Sequence, residues 1–564
     1  MTIRDERPWI ASYADGVPED LPEQTGTLVD LIAASVRDYP QATALEFFAA
    51  ETSYAELGEL IERAAEGLRR QGVRKGDTVA IVLPNCPQHV VAFYAALRLG
   101  AIVVEHNPLY TPRELRHQFE DHGAKTVIAW DKTVATLQDF PMDVRPDTIV
   151  AVDLPSAMGL KTRILLNLPV KKARESKAAL TTPAKGALAW KDLLAHGRLD
   201  RQHEGPAHED IALIQYTSGT TGSPKGAVLT HRNLVANAAQ SRAWVPTITR
   251  GDCTVYAVLP LFHAYGLTLC LTFAMSMGAR LVLFPRFDPD LVLPVVKKHP
   301  PTFFPAVPPI YDRLTKAAQA KGVSLEGIEI AISGAMPLYS AIVDPWEAET
   351  KGFLVEGYGL SETSPVISAN PVADNRKAGT IGLPLPGTEV RIVDPEDPTV
   401  VRSLGDEGEL VVRGPQVFGG YWRKPDESAA VFADGWFRTG DIATLDDEGF
   451  IRIVDRIKEL IITGGFNVAP SEVEDVLRRF PGVADVAIVG LPDDRSGEQV
   501  VAAVVVEDGA DVDPEALRAF ARAEMAAYKA PRRIEFVDEL PRSLIGKVLR
   551  RQVRERLQAT GTEG

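Results

Sequence analysis

The chain has 564 residues, 45% of them apolar and 24% charged, with a formal charge of −15; this length exceeds what one hydrophobic core serves, and the composition excludes global disorder. The acidic balance argues against a nucleic-acid binder, whose footprint would be basic, yet leaves room for local cations that meet anionic small substrates. Cys86, Cys253 and Cys270 are odd in number and follow no metal-ligand spacing, so neither zinc nor disulfides are expected and a reducing compartment is. The start MTIRDERPWIASYADG lacks the apolar centre of a signal peptide, and no run reaches the ~18 apolar residues of a membrane span, so a cytoplasmic protein is expected.

Along the chain, Leu57, Leu60, Ile61, Ala64 and Leu68 recur at helical spacing and lead into the β-branched run from Thr78 to Leu83. Further helix and strand patterns follow: a helix near Gln88 to Leu99, a strand at 102–104, a helix from Pro112 to His122 and a strand at 126–129. Such alternation predicts a parallel, doubly wound α/β sheet. An insert at about 156–190 differs in texture, with Ile164, Leu165, Leu166 and Leu168 among Lys161, Arg163, Lys171, Lys172, Arg174 and Lys177. It reads either as a contact with an anionic membrane surface or, more commonly for such composition, as a solvated surface helix or loop. Short strands at Glu389 to Val393 and Gly408 to Arg413 predict a small β-rich subdomain, and a compact α+β module follows Asp455. In that module Ser471 and Glu474 are spaced as a capping box, Val473, Val476, Leu477 and Phe480 form an apolar helix face, strands fit 486–489 and 500–506, and a helix follows Asp513. A domain boundary is expected near Lys458.

The densest chemical signal is Tyr216-Thr-Ser-Gly-Thr-Thr-Gly-Ser-Pro-Lys-Gly226, preceded by a strand-like run from Ile211. Its glycines let backbone N–H groups turn toward an anion, its hydroxyls add donors, and Lys225 adds charge, so a polyphosphate is the natural guest. Ser223 and Pro224 interrupt the spacing that a Walker A loop needs.

At this loop the chain begins to resemble the adenylate-forming (AMP-binding) superfamily of acyl-CoA synthetases, aryl-CoA ligases and peptide-synthetase adenylation domains. Further motifs continue the resemblance in order, from Ser53-Tyr-Ala-Glu-Leu57 to Lys547. Gly357-Tyr-Gly-Leu-Ser-Glu-Thr363 is similar to a family motif in which Tyr358 lies against adenine, Ser361 contacts phosphate and Glu362 holds Mg²⁺, assisted by Thr217; the family more often has Thr where Ser361 stands. Ser333-Gly-Ala-Met-Pro337 resembles the adenine-side loop, through Gly334 and Ala335. Gly435-Trp-Phe-Arg-Thr-Gly-Asp441 resembles the ribose motif, with Asp441 accepting from the ribose hydroxyls and Arg456 assisting. Pro541-Arg-Ser-Leu-Ile-Gly-Lys547 resembles the terminal motif, whose lysine enters the site during adenylation.

The resemblance implies a large N-terminal domain, 1–455, of doubly wound α/β subdomains plus a β-rich subdomain, and a small mobile α+β domain, 456–564, turning about Lys458. It implies ATP, Mg²⁺ and coenzyme A as cofactor and co-substrates. Thr217, Ser218, Gly219, Thr220, Thr221, Gly222 and Lys225, with Gly357, Tyr358, Gly359 and Ser361, would bind nucleotide. Lys547, His263, Lys225 and Glu362 would be catalytic, and Gly464 and Gly465 would line the thiol's path. Some relatives carry lysine at the position of Ile462. An ionised carboxylate needs no general base to attack the α-phosphate, so positioned cations must do the catalysis.

His263, in Pro260-Leu-Phe-His-Ala-Tyr-Gly266, matches a motif at the acyl pocket, and the apolar Leu267 to Met275 reads as a tunnel lining or an ordinary core helix. Length and the basic insert resemble bacterial long-chain fatty-acid–CoA ligases, so a medium- or long-chain fatty acid is expected. A 4-coumarate-like aryl-CoA ligase, a fatty acyl-AMP ligase loading a carrier protein and a catalytically idle acyl or adenylate binder are the alternatives. Peripheral contact with the inner face of a membrane and a homodimer stay open.

Overall fold

The computed structural model describes residues 7–217, 224–463, 466–493, 497–543 and 546–561. The expected alternation folds into two large sheets. Ser53 opens the helix Tyr54–Arg70 with a capping box to Glu56, and the helix buries Leu57, Ile61, Ala64 and Leu68 at the spacing that defines one face. A seven-stranded sheet follows, in the order Leu188–Ala189, Thr148–Val152, Thr126–Trp130, Thr78–Val82, Ile102–Glu105, Ile211–Tyr216 and Gly226–Thr230. Its strands run parallel except at the last pair, an antiparallel hairpin.

A nine-stranded sheet carries Arg280–Leu283, Thr254–Ala257, Phe303–Ala306, Ile330–Ser333 and Phe353–Gly359 as its parallel centre. Val366–Ala369 and Leu383–Pro384 extend one edge antiparallel, while Thr43–Phe47 and Ala50–Ser53 complete the other. The helix Pro87–Arg98, buried from Gln88 to Leu97, touches strands of both sheets. One apolar core accordingly runs through both. Central parallel strands buried on both faces are what near-continuous apolar runs such as Ile330–Ser333 encode. Cys86, Cys253 and Cys270 are buried free thiols.

Glu389–Val393, Gly408–Arg413, Trp436–Leu445, Phe432–Ala433 and Ile451–Arg456 form the β-rich subdomain. The C-terminal region builds a separate five-stranded sheet from Ile461–Thr463, Phe466–Val468, Val483–Asp493, Gly497–Val506 and Arg533–Phe536, with its own apolar cores on the two faces. Asp513 caps the helix Pro514–Glu524 as expected.

The capping box at Ser471 does not form. The helix begins at Pro470, whose ring fixes a helical φ at the first position, and this moves Ser471 one step inside. The Ser471 N–H then donates to Asp455 Oδ2 at 2.8 Å. Glu474 faces inward, where Arg550 and the Ile488 N–H donate to it. The apolar stretch after His263 is wholly buried as a π-helical turn, Leu267–Thr272, continued by the α-helix Phe273–Met277. Among the described residues no helix is long and apolar enough to cross a membrane.

Candidate active site

The glycine-rich loop joins the two strands of the hairpin Ile211–Tyr216 and Gly226–Thr230. Its neck is closed by the pairing of Tyr216 with Gly226 and by the Thr217 N–H, which donates to Lys225 O at 2.9 Å. Ser218, Gly219, Thr220, Thr221 and Gly222 lie outside the described residues. Below the neck, Tyr216 donates its hydroxyl to Asp121 Oδ2 at 2.7 Å and stacks toward His106. The hairpin is thereby tied to the C-terminal end of the helix Pro112–His122.

Strand register supplies the second feature. Trp436–Leu445 pairs antiparallel with Ile451–Arg456 so that Asp441 stands opposite Arg456. The Arg456 Nε lies 2.9 Å from Asp441 Oδ1, and the Tyr358 hydroxyl donates to Asp441 Oδ2. Tyr358 arrives from the end of the strand Phe353–Gly359, where Gly357 and Gly359 crowd the neighbouring strand. A Cβ on Gly359 would sit 2.0 Å from Pro365 O, so only glycine lets the strand end turn there. A buried carboxylate with two donors directed at it is a ready acceptor for vicinal hydroxyls that displace one of them.

Beyond Gly359, Ser361 and Glu362 occupy a 3₁₀ turn, Ser361–Thr363, which packs on the strand Gly226–Thr230. Burial raises the Glu362 carboxyl, while Tyr421 donates its hydroxyl to Glu362 Oε1 at 2.8 Å and opposes that rise. The Lys225 ammonium lies over the same Tyr421 ring, 5.2 Å from its centroid, and pairs with Glu427. Tyr421 is held there by backbone pairing: the Trp422 N–H donates to Gly226 O at 2.8 Å and the Val228 N–H to Gly420 O at 3.0 Å. Sequence reasoning missed Tyr421 and Glu427, because only backbone pairing of two distant segments sets them beside Lys225. The oxygen donors here, the Glu362 carboxylate and the Thr217 hydroxyl on the neighbouring hairpin, are hard ligands of the kind that suit Mg²⁺, which takes its remaining positions from phosphates and water.

Lys547 reaches this region from the segment between the strand Arg533–Phe536 and the helix Arg550–Gly561. It is half-buried, and burial together with the Arg456 charge lowers its ammonium to about 8, against the opposing pull of Glu459 and Asp441. Gly546 has φ +82° and packs so closely that an added Cβ would stand 3.3 Å from Met336 Sδ. Tyr339, just past the Gly334 loop, shares its hydroxyl with Asp475 and Arg478 at 3.1 Å each. These contacts seat the C-terminal domain on the loop from Gly334. Lys458 is exposed on the 3₁₀ turn Ile457–Glu459, between the two bodies. Ile462 is exposed on the strand Ile461–Thr463, and Gly464 and Gly465 lie outside the described residues.

Gly334 and Ala335 follow the strand Ile330–Ser333, and Ala335 adopts φ 66°. An added Cβ on Gly334 would stand 3.1 Å from the Tyr265 ring, whose hydroxyl donates to Ile332 O at 2.6 Å. His263 begins the same segment as Tyr265. Its Nδ1 accepts from the Tyr265 N–H at 3.3 Å, which leaves Nε2 to carry the proton of the neutral ring. Burial lowers its pKa to about 4, so the neutral form prevails.

The AMP-binding enzyme family matches residues 32–422, and the AMP-binding enzyme C-terminal domain matches residues 472–547. A long-chain-fatty-acid–CoA ligase of Bacillus subtilis is 38% identical over 98% of this chain and 98% of its own length. A protein of the same description from Escherichia coli O157:H7 is 38% identical, covering 97% of this chain and 98% of its own. Among solved structures, ATP-bound MatB from Rhodopseudomonas palustris superposes with a TM-score of 0.82 at 30% identity, over 94% of this chain and 99% of that one.

Proposed function

The chain belongs to the AMP-binding enzyme family, and on that premise we propose that it joins medium- or long-chain fatty acids to coenzyme A at the expense of ATP. It is an AMP-forming acid–thiol ligase. In the first half-reaction a carboxylate oxygen attacks the α-phosphorus of ATP and the bond to pyrophosphate breaks. In the second, the thiol sulfur bonds to the acyl carbon and AMP departs.

Catalysis of the first step is electrostatic, since the nucleophile is already ionised. In this reading the hairpin loop and Lys225 hold the β- and γ-phosphates, exchanging the Glu427 partner of Lys225 for phosphate oxygens. Asp441 takes the ribose hydroxyls, and Lys547 meets charge growing at the α-phosphate. Glu362 and Thr217 would hold Mg²⁺, which supplies charge neutralisation on the phosphates. His263, neutral, offers its Nε2–H to the carboxylate and keeps water from it. The Ile461–Thr463 strand and the segment after it would guide the thiol once the small domain has turned about Lys458.

The observation that carries the reading is the buried Asp441–Arg456 pair with Lys547 within electrostatic reach of both, so that the terminal motif and the ribose motif meet in one region. Comparing thioester formation from palmitate and from coumarate with CoA tests it. Faster turnover of palmitate is expected; preference for coumarate would transfer the assignment to aryl-CoA ligation, and pyrophosphate exchange without thioester would transfer it to acyl-AMP ligation.

A further inference from the structure

The insert at about 156–190 forms a small helical hairpin, Leu160–Leu166 and Lys171–Leu180, joined through residues 167–170. Its inner side is fixed. Leu166 and Leu180 pack on the main core, Ala173 is buried, and Trp130 donates its indole N–H to Leu180 O at 2.8 Å. Lys132 caps the second helix through Ala178 O and Ala179 O, and Lys177 Nζ donates to Asn167 Oδ1 at 2.7 Å. These contacts make the hairpin an ordered projection.

Its outer side is apolar where solvent meets it. Leu160 is 71% exposed, Ile164 56%, Leu165 59%, Leu168 41% and Val170 50%. Five of the thirteen large apolar side chains exposed among the described residues thus fall within eleven consecutive positions, whereas scattered single exposures need no explanation. Around them stand Lys161, Arg163, Lys171, Lys172, Arg174 and Lys177, all exposed, with Glu175 as the lone acid, in a chain of net charge −15. An apolar crest ringed by cations on an otherwise acidic protein matches an anionic lipid surface on both counts, hydrocarbon for the crest and headgroup charge for the ring. A protein partner would account for the apolar crest but would need its own acidic rim.

We propose that the hairpin 160–180 is a docking surface for anionic bilayers, with Leu160, Ile164, Leu165, Leu168 and Val170 entering the headgroup boundary and the six cations lying over the lipid phosphates. The inference deepens the fatty-acid reading, because an acid of that class partitions into the bilayer that the hairpin touches.

The full chain is floated with vesicles of phosphatidylcholine alone and of phosphatidylcholine with roughly one-third phosphatidylglycerol, an anionic fraction that sets the surface potential. It is expected to float with the anionic vesicles only, and to be released when salt is raised to ~0.5 M. Each cation near such a surface raises partitioning about fivefold, so Lys171→Glu, Lys172→Glu and Arg174→Glu together should lower it by a hundredfold or more. Ile164→Asp with Leu165→Asp, which keeps all six cations but replaces part of the apolar crest with two acids, should lower it about tenfold or more. Both variants should keep wild-type CoA ligation of an acid dispersed in non-ionic detergent. Equal flotation with neutral and anionic vesicles, no flotation at all, or variants that float as the wild type would overturn the proposal. So would a wild-type dimer that Ile164→Asp with Leu165→Asp converts to monomer, since the crest would then cover a second copy. Absence of ligation by the wild type would refute the enzymatic reading while leaving the flotation result readable.

Discussion

Tyr421 joins two charges that the reaction must manage. Its hydroxyl serves Glu362 and its ring lies under Lys225. Tyr421→Phe removes only the hydroxyl, a hydrogen bond to a charged group, and should lower carboxylate-dependent pyrophosphate exchange by about tenfold. Tyr421→Leu also removes the ring face and should cost a further severalfold, on the order of 1 kcal/mol. Wild-type exchange in both variants would reduce Tyr421 to a packing residue. Lys547 yields a pH prediction. Its ammonium titrates near 8 in the free enzyme, and only the protonated form stabilises phosphate charge. The kcat/KM of adenylation should therefore fall as pH rises through about 8, since that parameter reports free-enzyme groups. Lys547→Arg, whose guanidinium stays charged, should remove that alkaline limb even where its different reach lowers the rate. The motifs singled out Asp441 and Arg456 for the ribose in the sequence, but their pairing with each other comes from strand register. Tyr421 was not, because its position depends on backbone pairing across to Gly226 and Val228.

At the scale of elements, steric demand explains why a glycine stands at 359, where the strand ends abruptly. Gly359→Ala would drive a Cβ into Pro365 O, at 2.0 Å in the present backbone, so the strand end and the turn carrying Ser361 and Glu362 must shift. The expected cost is about 2–4 kcal/mol of stability, read as a lowered Tm, together with loss of the Tm increase expected of the wild type on binding ATP. A variant with wild-type Tm and an unchanged response to ATP would show that the turn adapts freely. Most elements were legible, because long periodic runs such as Tyr54–Arg70 and β-branched runs such as Thr78–Val82 leave few alternatives. The misreading at Ser471 arose from a spacing rule that two start signals satisfied; Pro470 took the first helical position, and Asp455, distant in sequence, claimed the Ser471 N–H. Periodicity also gave no hint of the π-helical turn at Leu267–Thr272, since a wholly buried segment has no polar face to mark its pitch.

In the proposed mechanism the whole molecule presents Lys547 to one half-reaction and withdraws it from the other. Among the described residues its present seat includes Gly546 against Met336, Tyr339 with Asp475 and Arg478, the Ser471 N–H on Asp455, and charges that oppose one another around Arg456. The C-terminal sheet owns its apolar cores, so it can leave this seat without exposing them. The covalent path between the bodies passes the turn Ile457–Glu459, on which Lys458 is exposed, and the proposed rotation would be absorbed there. If adenylation uses the seated arrangement and thioester formation a rotated one, the two steps must respond differently to the same mutation. Lys547→Ala should lower pyrophosphate exchange by roughly 10²–10³-fold, the scale of removing one positioned charge donor. Thioester formation from preformed acyl-AMP and CoA should stay within severalfold of wild type. Fixing the backbone at the turn with Lys458→Pro should invert the pattern, sparing exchange and impairing thioester formation. Equal loss of both steps in both variants would mean that one arrangement serves the whole reaction, and the separation of the two bodies would then need a structural explanation rather than a catalytic one.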